Sequence, residues 1–145
     1  FKTALFRGFT SIKVADSVTD GCSYFYAEVR RLKALLNALK VETEYPLFFL
    51  IDEIFKGTNN RERYLGSKAY ILGLAGKNGV GAISTHDLEL TGLVEEIPLL
   101  KNYHFREEVA NGKMVFDYRL RSGPCPTTNA LIIMEMEGLP VDSSL

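Results

Sequence analysis

Five apolar residues in a row, Leu47-Phe48-Phe49-Leu50-Ile51, stop abruptly at Asp52-Glu53. An uninterrupted run of this length predicts a strand buried on both faces of a parallel sheet covered by helices. In such sheets ligands sit outside the carboxyl ends of the strands, so two acids at that end stand where a metal–phosphate site would be. An Asp there can hold Mg²⁺ through water, and an adjacent Glu can orient or polarise an attacking water. Taken alone, the pair better suits a strand that has reached solvent and begins its loop with charges.

A second short apolar stretch, Val80 to Ser84, predicts another buried strand and ends on Thr85-His86-Asp87. If the two strands are parallel neighbours, His86 emerges on the same edge as Asp52 and Glu53. There it could hydrogen-bond a terminal phosphate and report its presence; an ordinary surface-loop histidine suits the position equally well. His104 falls in a hairpin strand and reads as structural.

The polar loop from Asp16 to Ser23 feeds a helix. Gly21 and Ser23 at its N-terminus bring exposed N–H groups, a hydroxyl and a favourable dipole, which are anion-binding features as well as those of an ordinary capped start. Cys22 has no sequence-local base to make it a nucleophile. Thr58 and Asn59, after Gly57, read as an N-cap region. No Gly-x-x-x-x-Gly-Lys-Ser/Thr stretch occurs, and Gly76-Lys77-Asn78-Gly79 has neither its spacing nor its hydroxyl.

The elements that must position these residues follow from periodicity. Phe25, Val29, Leu32, Leu36 and Leu39 predict an amphipathic helix whose other face is basic, with Arg30, Arg31, Lys33 and Lys40. A short strand is expected at residues 10–14. A second helix should run over about 60–74, started by Asn59 with Glu62 in a capping-box-like pair. On it, Gly66 and Gly73 would allow another backbone to approach. A short helix is expected over 87–95. These alternations imply parallel strands with helical crossovers. The last third differs: 103–108 and 114–119 around Asn111-Gly112 predict an antiparallel hairpin. A helix over 127–137 should end with Gly138 at C′ and Pro140 beyond.

Composition sets the bounds. The chain has 145 residues, 46% hydrophobic and 24% charged, so one domain with a sizeable core is expected rather than disorder. Lys+Arg 17 against Asp+Glu 18 leaves a net charge of −1, which lacks the footprint of a stand-alone DNA binder. No apolar run approaches a membrane span. Two cysteines and two histidines make neither a disulfide scaffold nor a zinc site. These sums leave a single-domain α/β or α+β protein of a reducing compartment, expected to be cytoplasmic and without membrane contact.

Taken together, four segments in this order resemble the ATPase domain of the MutS family of DNA mismatch repair proteins. Residues 16–28 are similar to the family's signature loop, with its leading Asp16, Gly21, Ser23, Phe25 and trailing Glu28. Residues 47–53, continuing to Gly57-Thr58-Asn59, resemble the Walker B strand and the loop after it. Residues 84–90 resemble the switch-histidine segment, and 102–140 the closing hairpin and helix. The resemblance implies a P-loop NTPase of the ABC type, present in part, with ATP and Mg²⁺ as cofactors. Asp52 would coordinate Mg²⁺ through water, Glu53 would activate water, and His86 would sense the γ-phosphate. Gly21 and Ser23 would close the partner subunit's ATP site in a homodimer with composite sites. DNA would be held by upstream domains.

Four departures point to a divergent member: Phe55-Lys56 where the family usually has Gly-Arg, Asn59-Asn60 for Ser-Thr, Tyr24 for Thr, and Asp87 for Tyr. The absent phosphate loop and the opening on Phe1 lead to the expectation that the chain is the second part of a longer nucleotide-binding protein. Two alternatives stand beside this reading. One is a non-catalytic dimerisation or interaction module for these 145 residues in isolation, which are expected to be inactive alone because the phosphate loop is absent. The other is a different ABC-class DNA-associated ATPase, against which the hairpin and the Gly138-Leu139-Pro140 ending argue.

Overall fold

The computed structural model describes residues 3, 5–12, 24–55, 57–110, 113–126 and 130–140. They fall into two units, residues 1–99 and 100–145, each treated by itself.

The first unit is a parallel β-α-β-α-β arrangement: β1 (Arg7–Ser11), α1 (Tyr24–Lys40), β2 (Leu47–Asp52), α2 (Asn60–Leu74) and β3 (Gly79–Ser84). Its sheet order is β1-β2-β3. Registers run from Arg7 beside Leu47 to Ser11 beside Ile51, and from Leu47 beside Gly79 to Asp52 beside Ser84. β1 therefore begins three residues before the expected strand at 10–14, of which 13 and 14 lie outside the described residues.

The core lies on one face of this sheet. Leu47, Phe49 and Ile51 of β2 meet Leu32, Leu35 and Leu39 of α1 and Tyr70 and Leu74 of α2, with Ile54 closing the end. Phe48 and Leu50, on the other face, are only half-buried. The expectation of burial on both faces is thus corrected: among the described residues, the helices α1 and α2 pack on one face. β3 departs further, for Val80 is 64% exposed and Ala82 is exposed as well. The apolar run of β3 is that of an edge strand in this sheet, not of a buried one.

α1 buries Leu35 (0% exposed) rather than centring on Leu36, and Phe25 is 37% exposed. Leu36 turns toward α2, where a Cβ on Gly73 would meet its Cδ2 at 3.7 Å. A Cβ on Gly66 would likewise meet the Phe55 ring at 3.4 Å. Both glycines make room for side chains, not for the backbone the pattern suggested. The basic face of α1 is not wholly solvated either: the Arg31 guanidinium lies 5.5 Å above the Phe9 ring and donates to the Thr10 carbonyl, pinning α1 to β1. Tyr70 donates to the Leu32 carbonyl at 2.8 Å, and burial pushes its phenol up.

The core face of β3 carries Gly79 and Gly81 because Phe49 lies across it. A Cβ on Gly81 would sit 2.3 Å from both the Phe49 carbonyl oxygen and ring Cδ2. Backbone cannot yield as a side-chain tip does. Gly81→Ala is expected to cost about 1–3 kcal/mol, read as a lower denaturation midpoint, whereas Val80→Thr on the exposed face should stay within about 0.5 kcal/mol.

After β3, a 3₁₀ turn (Leu88–Gly92) runs into the single-turn α3 (Leu93–Glu96), where one helix was expected. Leu90, Leu93 and Ile97 are buried there, and Glu96 pairs with Lys68 of α2 at 2.6 Å.

In the second unit, β5 (Glu107–Ala110) and β6 (Lys113–Phe116) form the expected hairpin, its Asn111-Gly112 turn lying outside the described residues. β4 (Tyr103–His104) pairs separately with β7 (Arg121–Ser122). His104 is structural, its Nδ1 2.9 Å from the Gly123 carbonyl oxygen. Arg121 grips Asp117 through both guanidinium nitrogens, at 3.1 and 2.5 Å, holding its carboxyl down at about 2. α4 (Ala130–Met136) ends as anticipated, with Gly138 at φ 78. Among the described residues no helix is long and apolar enough to cross a membrane.

Candidate functional site

Three parallel strands in this register end on one rim, at Ser11, Asp52 and Ser84. Strand alternation puts Asp52 and Ser84 on the face away from the helices. The Ser84 hydroxyl donates to Asp52 Oδ1 at 2.5 Å and accepts the Glu53 N–H at 3.1 Å, while the Ser84 carbonyl accepts that same N–H at 3.2 Å. One serine thus fixes both acids.

The chain then reverses through two left-handed residues, Glu53 (φ 51) and Phe55 (φ 54). For side chains with a Cβ each costs roughly 1–2 kcal/mol and persists only where the surroundings hold it. Ile54 between them is buried in the core. The Phe55 ring packs 6.3 Å from Phe25 and edge-on to Tyr70 at 6.0 Å. Its N–H donates to Glu28 Oε1 at 2.6 Å. This is the position where the resemblance expects glycine. A left-handed backbone explains that preference, and here aromatic packing offsets the strain instead.

His86 Nε2 stands 2.6 Å from Glu53 Oε1, with side-chain exposures of 90% and 22%. Its loop is fixed on both sides. The Asp87 N–H donates to Thr85 Oγ1 at 3.0 Å, and the Asp87 side chain caps the 3₁₀ turn by accepting the Glu89 N–H at 3.3 Å. Asp87 also lies 3.7 Å from the Arg63 guanidinium of α2. The exchange of Tyr for Asp noted above therefore supplies a cap and an ion pair.

Gly57, Thr58 and Asn59 carry the chain into α2. Asn59 accepts the Glu62 N–H at 3.0 Å, as the sequence suggested, but the Glu62 carboxylate turns to the Thr58 hydroxyl at 2.5 Å rather than back to the cap. A Cβ on Gly57 would meet Phe25 Cβ at 3.1 Å, so this loop lies against the start of α1. Thr58 and Asn59 are engaged in capping. Asp52, Glu53, Ser84 and His86 are the residues brought together. Gly21 and Ser23 lie outside the described residues, as do Cys22 and Lys56.

An open depression of about 280 Å³ adjoins the rim, lined by Ile12, Leu50, Ile51, Asp52, Ala82 and Ser84. Its polar groups are a carboxylate and a hydroxyl, hard oxygen donors. Among the described residues no group of three or more His, Cys, Asp or Glu forms a protein-only cage. One carboxylate fits Mg²⁺, which keeps several waters and shares its shell with phosphate oxygens. It does not fit a structural zinc.

Sequence reasoning quoted Ser84 and Glu28 inside motifs but gave neither a role. Their signals were present: a hydroxyl at a strand's last residue and an acid on a helix face otherwise apolar or basic.

The profile of MutS domain V matches residues 3–143. The chain is 33% identical over 136 residues to the DNA mismatch repair protein MutS of Bacillus subtilis, covering 92% of this chain and 15% of that protein. It is 34% identical over 133 residues to that of Lactobacillus helveticus (91% and 15%) and 30% identical over 135 residues to that of Natronomonas pharaonis (92% and 15%). The chain thus spans about 15% of the length of these relatives. With the profile running across nearly all its residues, the chain belongs to the MutS family, through its domain V.

Proposed function

We propose that this chain is part of an ABC-type P-loop ATPase domain, with the signature loop at 16–28, Walker B at 47–53, the switch-histidine segment at 84–90 and the closing hairpin and helix at 102–140. The protein that contains it would couple Mg²⁺-dependent ATP hydrolysis to dimer closure on DNA. The observation that carries this is the carboxyl rim, where Glu53, held by Ser84 and touching His86, projects beside Asp52.

In this reading Asp52 holds Mg²⁺ through water. When bound, the ion neutralises charge on the phosphate oxygens. Ser84 keeps the Asp52 carboxylate on the rim and fixes the backbone of Glu53. Glu53 accepts a hydrogen bond from the attacking water and orients it in line with the terminal phosphate. His86 holds Glu53 until a γ-phosphate offers its oxygens, then turns to donate to them, which releases the carboxylate for water. Catalysis is positioning and charge stabilisation. Gly21 and Ser23 act on the partner's nucleotide, and two composite sites make ATP the link between subunits. Gly57 to Asn59 shape the loop below the acids. The phosphate cradle that this reading requires would come from residues outside these 145. DNA contact would be made mostly by parts outside them too, since their net charge is only −1.

The test is ATP turnover by the purified full-length protein. Activity should require Mg²⁺ and fall about 100-fold or more in Asp52→Ala. Turnover that persists in excess chelator, or is unchanged by Asp52→Ala, overturns the assignment. The missing cradle favours a second reading, a non-catalytic interaction module. That reading concerns these 145 residues by themselves, and titrating them alone with labelled ATP separates the two, because tight Mg²⁺-dependent binding contradicts the second.

A further inference from the structure

We infer that Glu28 is a positioning residue for Glu53: through its bond to the Phe55 N–H, the first turns of α1 set where the proposed water-orienting carboxylate sits. This rests on the reading of Glu53 given above.

The loop after β2 is held at two points. On the β3 side Ser84 binds the Glu53 N–H. Two residues later the half-buried Phe55 N–H has no strand or helix ladder to join, and Glu28 Oε1 accepts it at 2.6 Å across 27 positions of sequence. A half-buried backbone donor needs an acceptor, and an ionised one binds it more strongly than a neutral one. Between the two anchors the backbone is left-handed at Glu53 and Phe55 and buried at Ile54. Such a segment has few ways to relax while both ends are tied. Releasing Phe55 lets the reversal open, and the Glu53 carboxylate swings with it.

Two further contacts join α1 to the same loop. Phe25 packs against Phe55, with ring centroids 6.3 Å apart, and a Cβ on Gly57 would meet its Cβ at a tight 3.1 Å. Glu28 is the directional contact of the three. It reaches the loop from the helix rather than from solvent, so a rotation of α1 moves Glu53.

The experiment measures ATP turnover and ATP affinity of the full-length protein for wild type, Glu28→Ala and Glu28→Gln, with Glu53→Gln as reference. Glutamine retains an oxygen that can accept the Phe55 N–H; alanine does not. The inference expects Glu28→Ala to lower kcat about 10- to 100-fold with KM and ATP affinity within about threefold. Glu28→Gln should recover to within about threefold of wild type. If the alanine variant does not fold, Glu28→Met keeps the volume and removes the acceptor, with the same expectation. Unchanged kcat in Glu28→Ala or Glu28→Met overturns the inference, and so does a parallel loss of kcat and affinity that glutamine does not repair. Full turnover in Glu53→Gln instead overturns the reading of Glu53 and is seen before any Glu28 variant is made.

Discussion

Glu53→Gln is expected to leave ATP bound and to stop its turnover. The substitution keeps size and one acceptor oxygen but replaces the basic carboxylate with a neutral amide, so the loss isolates proton acceptance and water orientation. Groups in this role contribute roughly 10²–10⁴-fold, and a kcat lowered about 100-fold or more with ATP affinity within about threefold is the expected pattern. The backbone anchor at Ser84 and the buried Ile54 do not involve the carboxylate, so the loop should keep its shape. The bond to His86 loses its charge, which makes the histidine freer to meet phosphate. Single-turnover kinetics with labelled ATP check this, and a Glu53→Gln protein that cycles at the wild-type rate would remove Glu53 from the chemistry.

The second large effect is on stability. Leu35→Ala should destabilise the first unit by about 2–5 kcal/mol, because Leu35 is wholly buried among α1, β2 and α2. Leu36→Ala, beside it and only half-buried, should cost clearly less. Amide hydrogen exchange at Phe48–Ile51 of the central strand reads this locally. Protection should fall about 30-fold or more for Leu35→Ala. Equal losses in the two variants would mean that α1 presents a different face.

These two residues also show what the sequence could carry. Asp52, Glu53 and His86 were legible because a parallel strand delivers its last residues to one rim, and that rule needs only the apolar runs and their stops. Leu35 was not, because in a Leu-Leu pair either member satisfies helical spacing, and the choice is made by what α2 offers at Gly73. The exposure of β3 was hidden for a similar reason. Val80 and Ala82 are apolar whether or not anything lies over them, and only the register shows that Gly79 and Gly81 occupy the face toward the helices. Asn59 as a cap was readable from local chemistry, whereas the turn of Glu62 toward Thr58 depended on a loop shape that no local pattern encodes. Phe55 marks the sharpest limit. Its departure from the family pattern was plain in the sequence, but its left-handed backbone and its packing on Phe25 and Tyr70 bring together three distant segments. Glu28 belongs to the same class, an acid whose meaning lies 27 positions away.

The parallel register has a kinetic consequence. Arg7 must find Leu47, about forty positions along, and Leu47 must find Gly79, about thirty further. The hairpin of the second unit needs only Ala110 to meet Lys113. Loop-closure entropy is met before such distant pairs reward it, so the hairpin can assemble early while the rim cannot exist until both crossovers have docked. Asp52, Glu53, Ser84 and His86 become neighbours only once the β2–α2–β3 crossover has docked, and a chain that lacks it carries the acids without the site.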